Sequence, residues 1–468
     1  MRILAIAIWL LIATSVVAQN NLTGKQISAR NKPGVVLIYS TAKANVVYNG
    51  IAPNNEKIQQ LSQAVAANIN SGQLQADQLI DVYIKTIFSN PQEYFYPTSE
   101  VFQKEMSIGA MGTGFILNDN GYVATNCHVI DLVEDEDETK KGFAGQIIVD
   151  LAKSFITNLS KSLNAQLTEE EQKYILNGLA GYYVSTGSMQ VKKIEKNYGV
   201  RFGLDVQGLK VEQVKEASVV TKGNPIPGKD VAILKIDAKD LPTVSLGDEV
   251  STEEGDKVFV MGFPGDATFH PFVAEESVFV PTFTTGIVSA IKKAKTGWNI
   301  YQIDAAIDHG NSGGPVFNDK GEVIGLATFG TIDMQNGETK QNYNFFVPIS
   351  ILKEFMNQIN IKNETSDIDK LFQAALKDFE SQKYKAALTT FTKVEQINGN
   401  FPYIKTYISE CQTNINKGLD KTPILSAGMW AIIGIVALAL IAGTVLFITK
   451  RKKGSQNAQV AKLESSNA

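Results

Sequence analysis

Three short segments hold side chains whose types and order suit acyl transfer: Thr125-Asn126-Cys127-His128-Val129, Lys229-Asp230-Val231-Ala232-Ile233-Leu234-Lys235 and Gly310-Asn311-Ser312-Gly313-Gly314-Pro315. Acyl transfer needs a nucleophile, an imidazole that takes its proton, and a carboxyl group that fixes the imidazole in one tautomer. The chain supplies them in the order His128, Asp230, Ser312. Glycines flank Ser312, which suits a tight turn, and the amides of Gly310, Asn311 and Ser312 are the candidates to hold the oxyanion that develops on the attacked carbonyl. Taken alone, Gly-x-Ser-Gly-Gly is as readily an ordinary glycine-rich turn. Only three histidines compete for the role of base. His309 lies three residues before Ser312 and is expected to shape the turn, and His270 falls in a loop with no assigned part. Asp237 and Asp240 compete with Asp230, but they lie past the apolar run that Asp230 opens. No metal or other cofactor is called for by this chemistry.

The elements that must position these groups read as mainly β. Across 112–348 short apolar runs alternate with turn signals such as Asn120-Gly121, Pro264-Gly265 and Lys320-Gly321, the pattern of a barrel or sandwich. The run 114–124 leads into His128, 231–236 follows Asp230, and 300–307 and 321–329 enclose Ser312, so each candidate sits at the end of a predicted strand. Upstream, the β-branched stretch 34–48 between Pro33 and Gly50 predicts an opening hairpin. Two helical stretches interrupt the pattern. Ile58, Leu61, Ala64 and Val65, then Leu79, Ile80, Val82 and Tyr83, predict two helices in about 55–90. A second helical insertion is expected at about 145–182, where the acidic run Glu169 to Glu171 reads as a solvated helix start.

At the three segments the chain resembles the HtrA/DegP branch of the chymotrypsin-like serine peptidases. The resemblance runs from about 112 to 348 and includes Gly112-Thr113-Gly114-Phe115, Gly262-Phe263-Pro264, Thr285-Gly286-Ile287-Val288-Ser289 and Asp304-Ala305-Ala306-Ile307. It implies two six-stranded β-barrels with the triad in their cleft, a backbone oxyanion hole, no cofactor, and cleavage of unfolded or damaged proteins in the cell envelope. It also implies that Ala306 and Ile307 floor the pocket for the residue before the scissile bond, which favours small or medium apolar side chains there. Oligomers, trimers among them, are frequent in that family. Three departures stand out. His128 and Asp230 are unusually far apart, the protease region (33–350) leads into helices where a PDZ domain is common, and Asp308-His309 replaces a common Asn-Pro pair.

The remaining segments concern location and partners. Residues 1–18 carry Arg2, an apolar run and small residues at Val16 and Ala18, the pattern of a secretory signal; an uncleaved anchor is the alternative. Residues 422–449 contain no charge, and as a helix the span 427–449 would rise roughly 35 Å, enough for the ~30 Å hydrocarbon layer. A transmembrane helix over 425–449 is expected, with Lys450, Arg451, Lys452 and Lys453 placing the 450–468 tail in the cytoplasm. The protease region then lies outside, periplasmic or extracellular. Cys127 and Cys411 are the only cysteines and sit in unrelated segments, so two reduced cysteines are expected over a disulfide. Between protease and span, 367–417 predicts three amphipathic helices, with Ala375, Tyr384, Ala387, Phe391 and Val394 at the spacing of a tetratricopeptide-type hairpin. Such a segment suits a stalk or a protein-partner site. A net charge of -4 shows no basic excess and excludes a nucleic-acid binder. Two readings remain: a membrane-anchored serine endopeptidase, or a catalytically silent protease fold whose helices recruit a partner.

Overall fold

The computed structural model describes residues 21–203, 214–265, 279–332, 339–423 and, apart from 437 and 447, 435–448. The expected signal at 1–18, His270, much of the expected span and the 450–468 tail lie outside the described residues. Among the described residues no helix is long and apolar enough to cross a membrane.

The chain opens with α1 (Gly24–Asn31), started by a reciprocal cap in which Thr23 and Gln26 satisfy each other's backbone and side chain. It seats Ile27 in the core. Strand β1 (Val35–Pro53) follows as one uninterrupted run of 19 residues. The expected local hairpin within 34–48 does not form, because Thr41-Ala42-Lys43-Ala44 offers no residue that favours a turn. Its antiparallel partner is β2 (Phe95–Ile116), which begins only after α2 (Asn55–Asn70), α3 (Leu79–Ser89) and a single helical turn. Then come β3 (Tyr122–Thr125), α4 (Cys127–Glu134), α5 (Glu136–Leu163), α6 (Glu169–Thr186), β4 (Met189–Phe202), β5 (Lys215–Lys222) and β6 (Ala232–Ile236). The second helical insertion starts about nine residues earlier than its periodicity suggests. Asp135 accepts from the amides of Asp137 and Glu138 and so starts α5 directly behind α4.

Strands β1 to β6 close a barrel in the order β1-β2-β3-β6-β5-β4. A second closed barrel, β10-β11-β12-β9-β8-β7, is built from β7 (Lys257–Gly262), β8 (Thr282–Lys293), β9 (Asn299–Ile303), β10 (Pro315–Phe317), β11 (Val323–Ile332) and β12 (Thr339–Pro348). One apolar core joins the two. Val35, Phe115 and Ile233 of the first barrel pack with Met261, Phe317 and Leu326 of the second, under Ile351, Leu352 and Phe355 of α7 (Ile349–Gln358). The mainly β, two-barrel architecture is therefore present, with helices attached at both ends.

The two helical insertions, separate in sequence, form one lobe. Phe88 of α3 meets Phe155 of α5 edge to face at 5.4 Å, and Ile84 and Phe88 share a core with Ile175, Leu179 and Tyr182 of α6. The lobe covers the part of β1 and β2 that projects beyond the barrel, where Ala42, Ala44 and Val46 pack on Phe143 and Ile147. At the other end α8 (Asp367–Glu380), α9 (Tyr384–Ile397) and α10 (Ile404–Asn416) pack around Phe372, Phe391, Phe401 and Tyr407. These helices dock on the first barrel: Ser366 donates to Leu241 O at 2.8 Å and Asn398 to Asp240 O at 3.0 Å, while Arg30 reaches Gln373 at 2.8 Å.

Two stability predictions come from these contacts. A Cβ on Gly178 would lie 2.6 Å from the Phe88 backbone oxygen, whereas one on Gly181, a turn further along α6, meets nothing. Gly178→Ala is expected to cost about 1–3 kcal/mol by overpacking, and Gly181→Ala to gain about 0.5–1 kcal/mol from helix propensity, both measured by urea unfolding. Asp369, buried in the first turn of α8, has its carboxyl pushed from 3.8 up to about 7 by burial, against weaker stabilisation of the charged form by Gln373 and Arg30. A raised carboxyl favours folding below its unfolded value and loses that contribution as pH rises through the folded one. Stability should therefore fall between about pH 4 and pH 7, and Asp369→Asn should flatten that fall in thermal melts taken across the range.

Candidate active site

Strand pairing brings the first two segments together. Thr125 at the end of β3 lies opposite Ala232 at the start of β6, so the residues just past one strand and just before the other meet. His128 occupies the first turn of α4 and Asp230 the approach to β6. Their contact is double: the His128 backbone N–H donates to Asp230 Oδ1 at 2.9 Å, and ring Nδ1 bonds Oδ2 at 2.7 Å. With Nδ1–H donated to the carboxyl group, Nε2 carries the free lone pair. The Asp230 side chain is wholly buried, while that of His128 is 37% exposed, so the ring is held from the protein side and presents its other edge to solvent.

The second barrel contributes to the same carboxyl group. Thr328 on β11 donates its hydroxyl to Asp230 Oδ2 at 2.7 Å, and Asn126 donates its side-chain amide to the Asp230 backbone carbonyl at 2.6 Å. Sequence reasoning missed Thr328. Its signal is only its register: Gly313 and Gly314 exchange backbone bonds with Ala327, which sets Thr328 beside Ser312. Asp237 and Asp240 lie beyond β6 and make no described contact with His128.

Ser312 sits on the turn before β10. Its hydroxyl donates to the Thr328 carbonyl at 2.5 Å, and among the described residues His128 Nε2 has no hydrogen-bond partner. The turn itself is tightly accounted for. Gly310 has φ of +100°, and a Cβ there would strike the Phe263 carbonyl at 2.3 Å. The Asn311 amide donates to Asp308 O at 3.0 Å and is used up inside the turn, so Asn311 is not an oxyanion donor. The amides of Gly310 and Ser312 make no described bond. His309 acts through its backbone: its carbonyl accepts from the Gly265 amide and its own amide donates to Asp308 Oδ1 at 2.7 Å, while its ring is exposed.

The two residues expected to floor a pocket differ in setting. Ile307 is 8% exposed and packs in the second barrel's core, and Ala306 is exposed, its carbonyl accepting the Thr284 hydroxyl at 3.0 Å. Cys127, next to His128, is free and buried, and burial, helped by the Asp131 charge, pushes its thiol up to about 12. It stays a thiol at neutral pH, the form that is a poor nucleophile. Cys411 is likewise free and buried.

Residues 184–326 match the family described as the trypsin-like peptidase domain. That stretch holds Asp230 and Ser312 and stops short of His128, which the α5 and α6 insertion separates from the rest. The chain is 39% identical over 145 residues to a probable periplasmic serine endoprotease, DegP-like, of Pseudomonas putida, covering 30% of this chain and 27% of that protein. It is 34% identical over 154 residues to the mitochondrial serine protease HTRA2 of Bos taurus, covering 31% and 29%. The chain thus spans less than a third of the length of either relative. A solved HtrA-type protease, AlgW with a decapeptide, aligns over 72% of this chain and 67% of that one at 20% identity, with a TM-score of 0.36. Part of the chain is thus similar to the trypsin-like peptidase domain and to the DegP-like and HTRA2 serine proteases.

Proposed function

We propose that the chain is a membrane-anchored serine endopeptidase that cleaves extracytoplasmic proteins, unfolded or damaged ones foremost. The observation that carries this reading is the double hydrogen bond from His128 to a wholly buried Asp230, whose carboxylate also accepts from Thr328, the residue whose carbonyl takes the Ser312 hydroxyl. Substrate binding turns the Ser312 hydroxyl from the Thr328 carbonyl toward Nε2. Ser312 Oγ then attacks the peptide carbonyl, and His128 takes its proton while Asp230 holds the imidazolium. The Gly310 and Ser312 amides receive the oxyanion. His128 returns the proton to the departing amine as the C–N bond breaks. Water, deprotonated by His128, opens the acyl-enzyme and restores the serine hydroxyl. Ala306, exposed beside the turn, borders the site for the residue before the scissile bond, and the apolar run Ala305-Ala306-Ile307 supports a preference for small or medium apolar side chains.

The signal pattern at 1–18, the charge-free run 422–449 and the basic cluster after it support an anchored protein with its protease domain outside the cytoplasm. In the described part of that run Ile435, Val436, Leu438, Leu440, Ile441 and Leu446 are each more than half exposed, and apolar side chains without protein cover support the anchored reading. The periplasmic relatives point to the same side of the membrane.

The second reading, a protease fold without turnover, is favoured by one observation: the Ser312 hydroxyl rests on Thr328. Degradation of an unfolded casein by the purified full chain in detergent separates the two. Ser312→Ala is expected to lower the rate by at least about 10³-fold, and Asp230→Asn by about 10⁴-fold through the wrong histidine tautomer. Equal cleavage by wild type and Ser312→Ala would sink the endopeptidase reading.

A further inference from the structure

We infer that Thr113, on the first barrel, is the positioning residue that holds the oxyanion turn of the second barrel in its donor-ready form. The inference rests on the reading of Ser312 as nucleophile and of the Gly310 and Ser312 amides as the oxyanion donors.

Thr113 makes four hydrogen bonds around that turn. Its backbone N–H donates to the Ser312 carbonyl at 2.8 Å, and its hydroxyl donates to the Gly310 carbonyl at 2.7 Å. The same hydroxyl accepts from the Phe263 amide at 3.0 Å, and its carbonyl accepts the Thr125 hydroxyl at 2.7 Å. Thr113 therefore pins two carbonyls two residues apart, one on each side of the Asn311 amide that is tied back to Asp308. It has no exposure, so water cannot substitute for any of these bonds.

Peptide planarity turns these bonds into a statement about the donors. In a trans peptide the carbonyl and the following N–H point in opposite directions. Fixing the His309 carbonyl on the Gly265 amide sends the Gly310 N–H the other way, and fixing the Asn311 carbonyl on the Gly314 amide does the same for the Ser312 N–H. Thr113 fixes the peptide that follows each of these through the Gly310 and Ser312 carbonyls, so the plane next to each donor peptide cannot turn without breaking a bond to a residue with no exposure. The side-chain type is determined by the same geometry. One atom must accept from Phe263 and donate to Gly310, which only a hydroxyl does at this size. The methyl has its own use, because the space above Gly314 is filled to 3.2 Å by Thr113 Cγ2.

The test uses the full chain in detergent, a fluorophosphonate probe, and separate measurement of the probe's binding constant and its maximal labelling rate. Thr113→Val, close to threonine in shape, is expected to slow maximal labelling about 10²- to 10³-fold, the cost of losing an oxyanion donor, with the binding constant within threefold of wild type. Thr113→Ser should restore the rate to within tenfold. A merely structural role would lower the melting temperature without this split between rate and binding and without rescue by serine. If Thr113→Val does not fold, Thr113→Cys, with a weak thiol donor, is expected at least tenfold below wild type. A wild-type rate in whichever of the two folds overturns the role of Thr113 alone, provided that Ser312→Ala is unlabelled. Absence of labelling in wild type overturns the endopeptidase reading and this inference together.

Discussion

A carboxyl group with no exposure, set between two barrels, has to have its hydrogen-bonding capacity met by the protein around it. Asp230 meets that condition with the backbone and ring of His128 from one barrel and the hydroxyl of Thr328 from the other. Most of the site depends on this arrangement. The histidine cannot be oriented unless β3 and β6 pair in their observed register, and Thr328 cannot reach Asp230 unless the barrels are seated on their shared core. The fold and the chemistry are thus two aspects of one packing problem.

The oxyanion turn obeys the same condition with backbone groups. Each carbonyl and amide from Asp308 to Gly314 that is described as bonded finds its partner within the turn, on β11, on Gly265, or on Thr113 across the barrel interface. The amides of Gly310 and Ser312 are not among them, and neither are the Asp308 amide and the Gly313 carbonyl.

The placing of His128, Asp230 and Ser312 at strand ends was legible in the sequence because each follows or opens an apolar run with turn residues beside it. Two-barrel topology was legible through the resemblance those segments carry. Thr328 was not, since nothing local distinguishes a threonine in a strand, and its role arises from a register sixteen residues beyond Ser312. Asn311 was assigned to the oxyanion hole because sequence places it between two donors, and the structure turns its amide inward to Asp308. The projecting β1 misled for a different reason. Its β-branched run is real, but the partner strand lies past two helices, and pairing at that distance leaves no periodic signal. The meeting of the two insertions in one lobe is also non-local, made by Phe88, Phe155 and Gly178. Helix starts, in contrast, are local chemistry: Thr168 with Glu171 and Thr23 with Gln26 form capping boxes readable from four residues each.

The most direct test of the central claim is mass-spectrometric mapping of the adduct formed when the full chain reacts with a fluorophosphonate at neutral pH. An activated serine gives one phosphonyl group on the peptide that contains Ser312, and denatured protein gives none. An adduct on a different residue, or none on the folded chain, would contradict the account of Asp230, His128 and Ser312 as one catalytic unit.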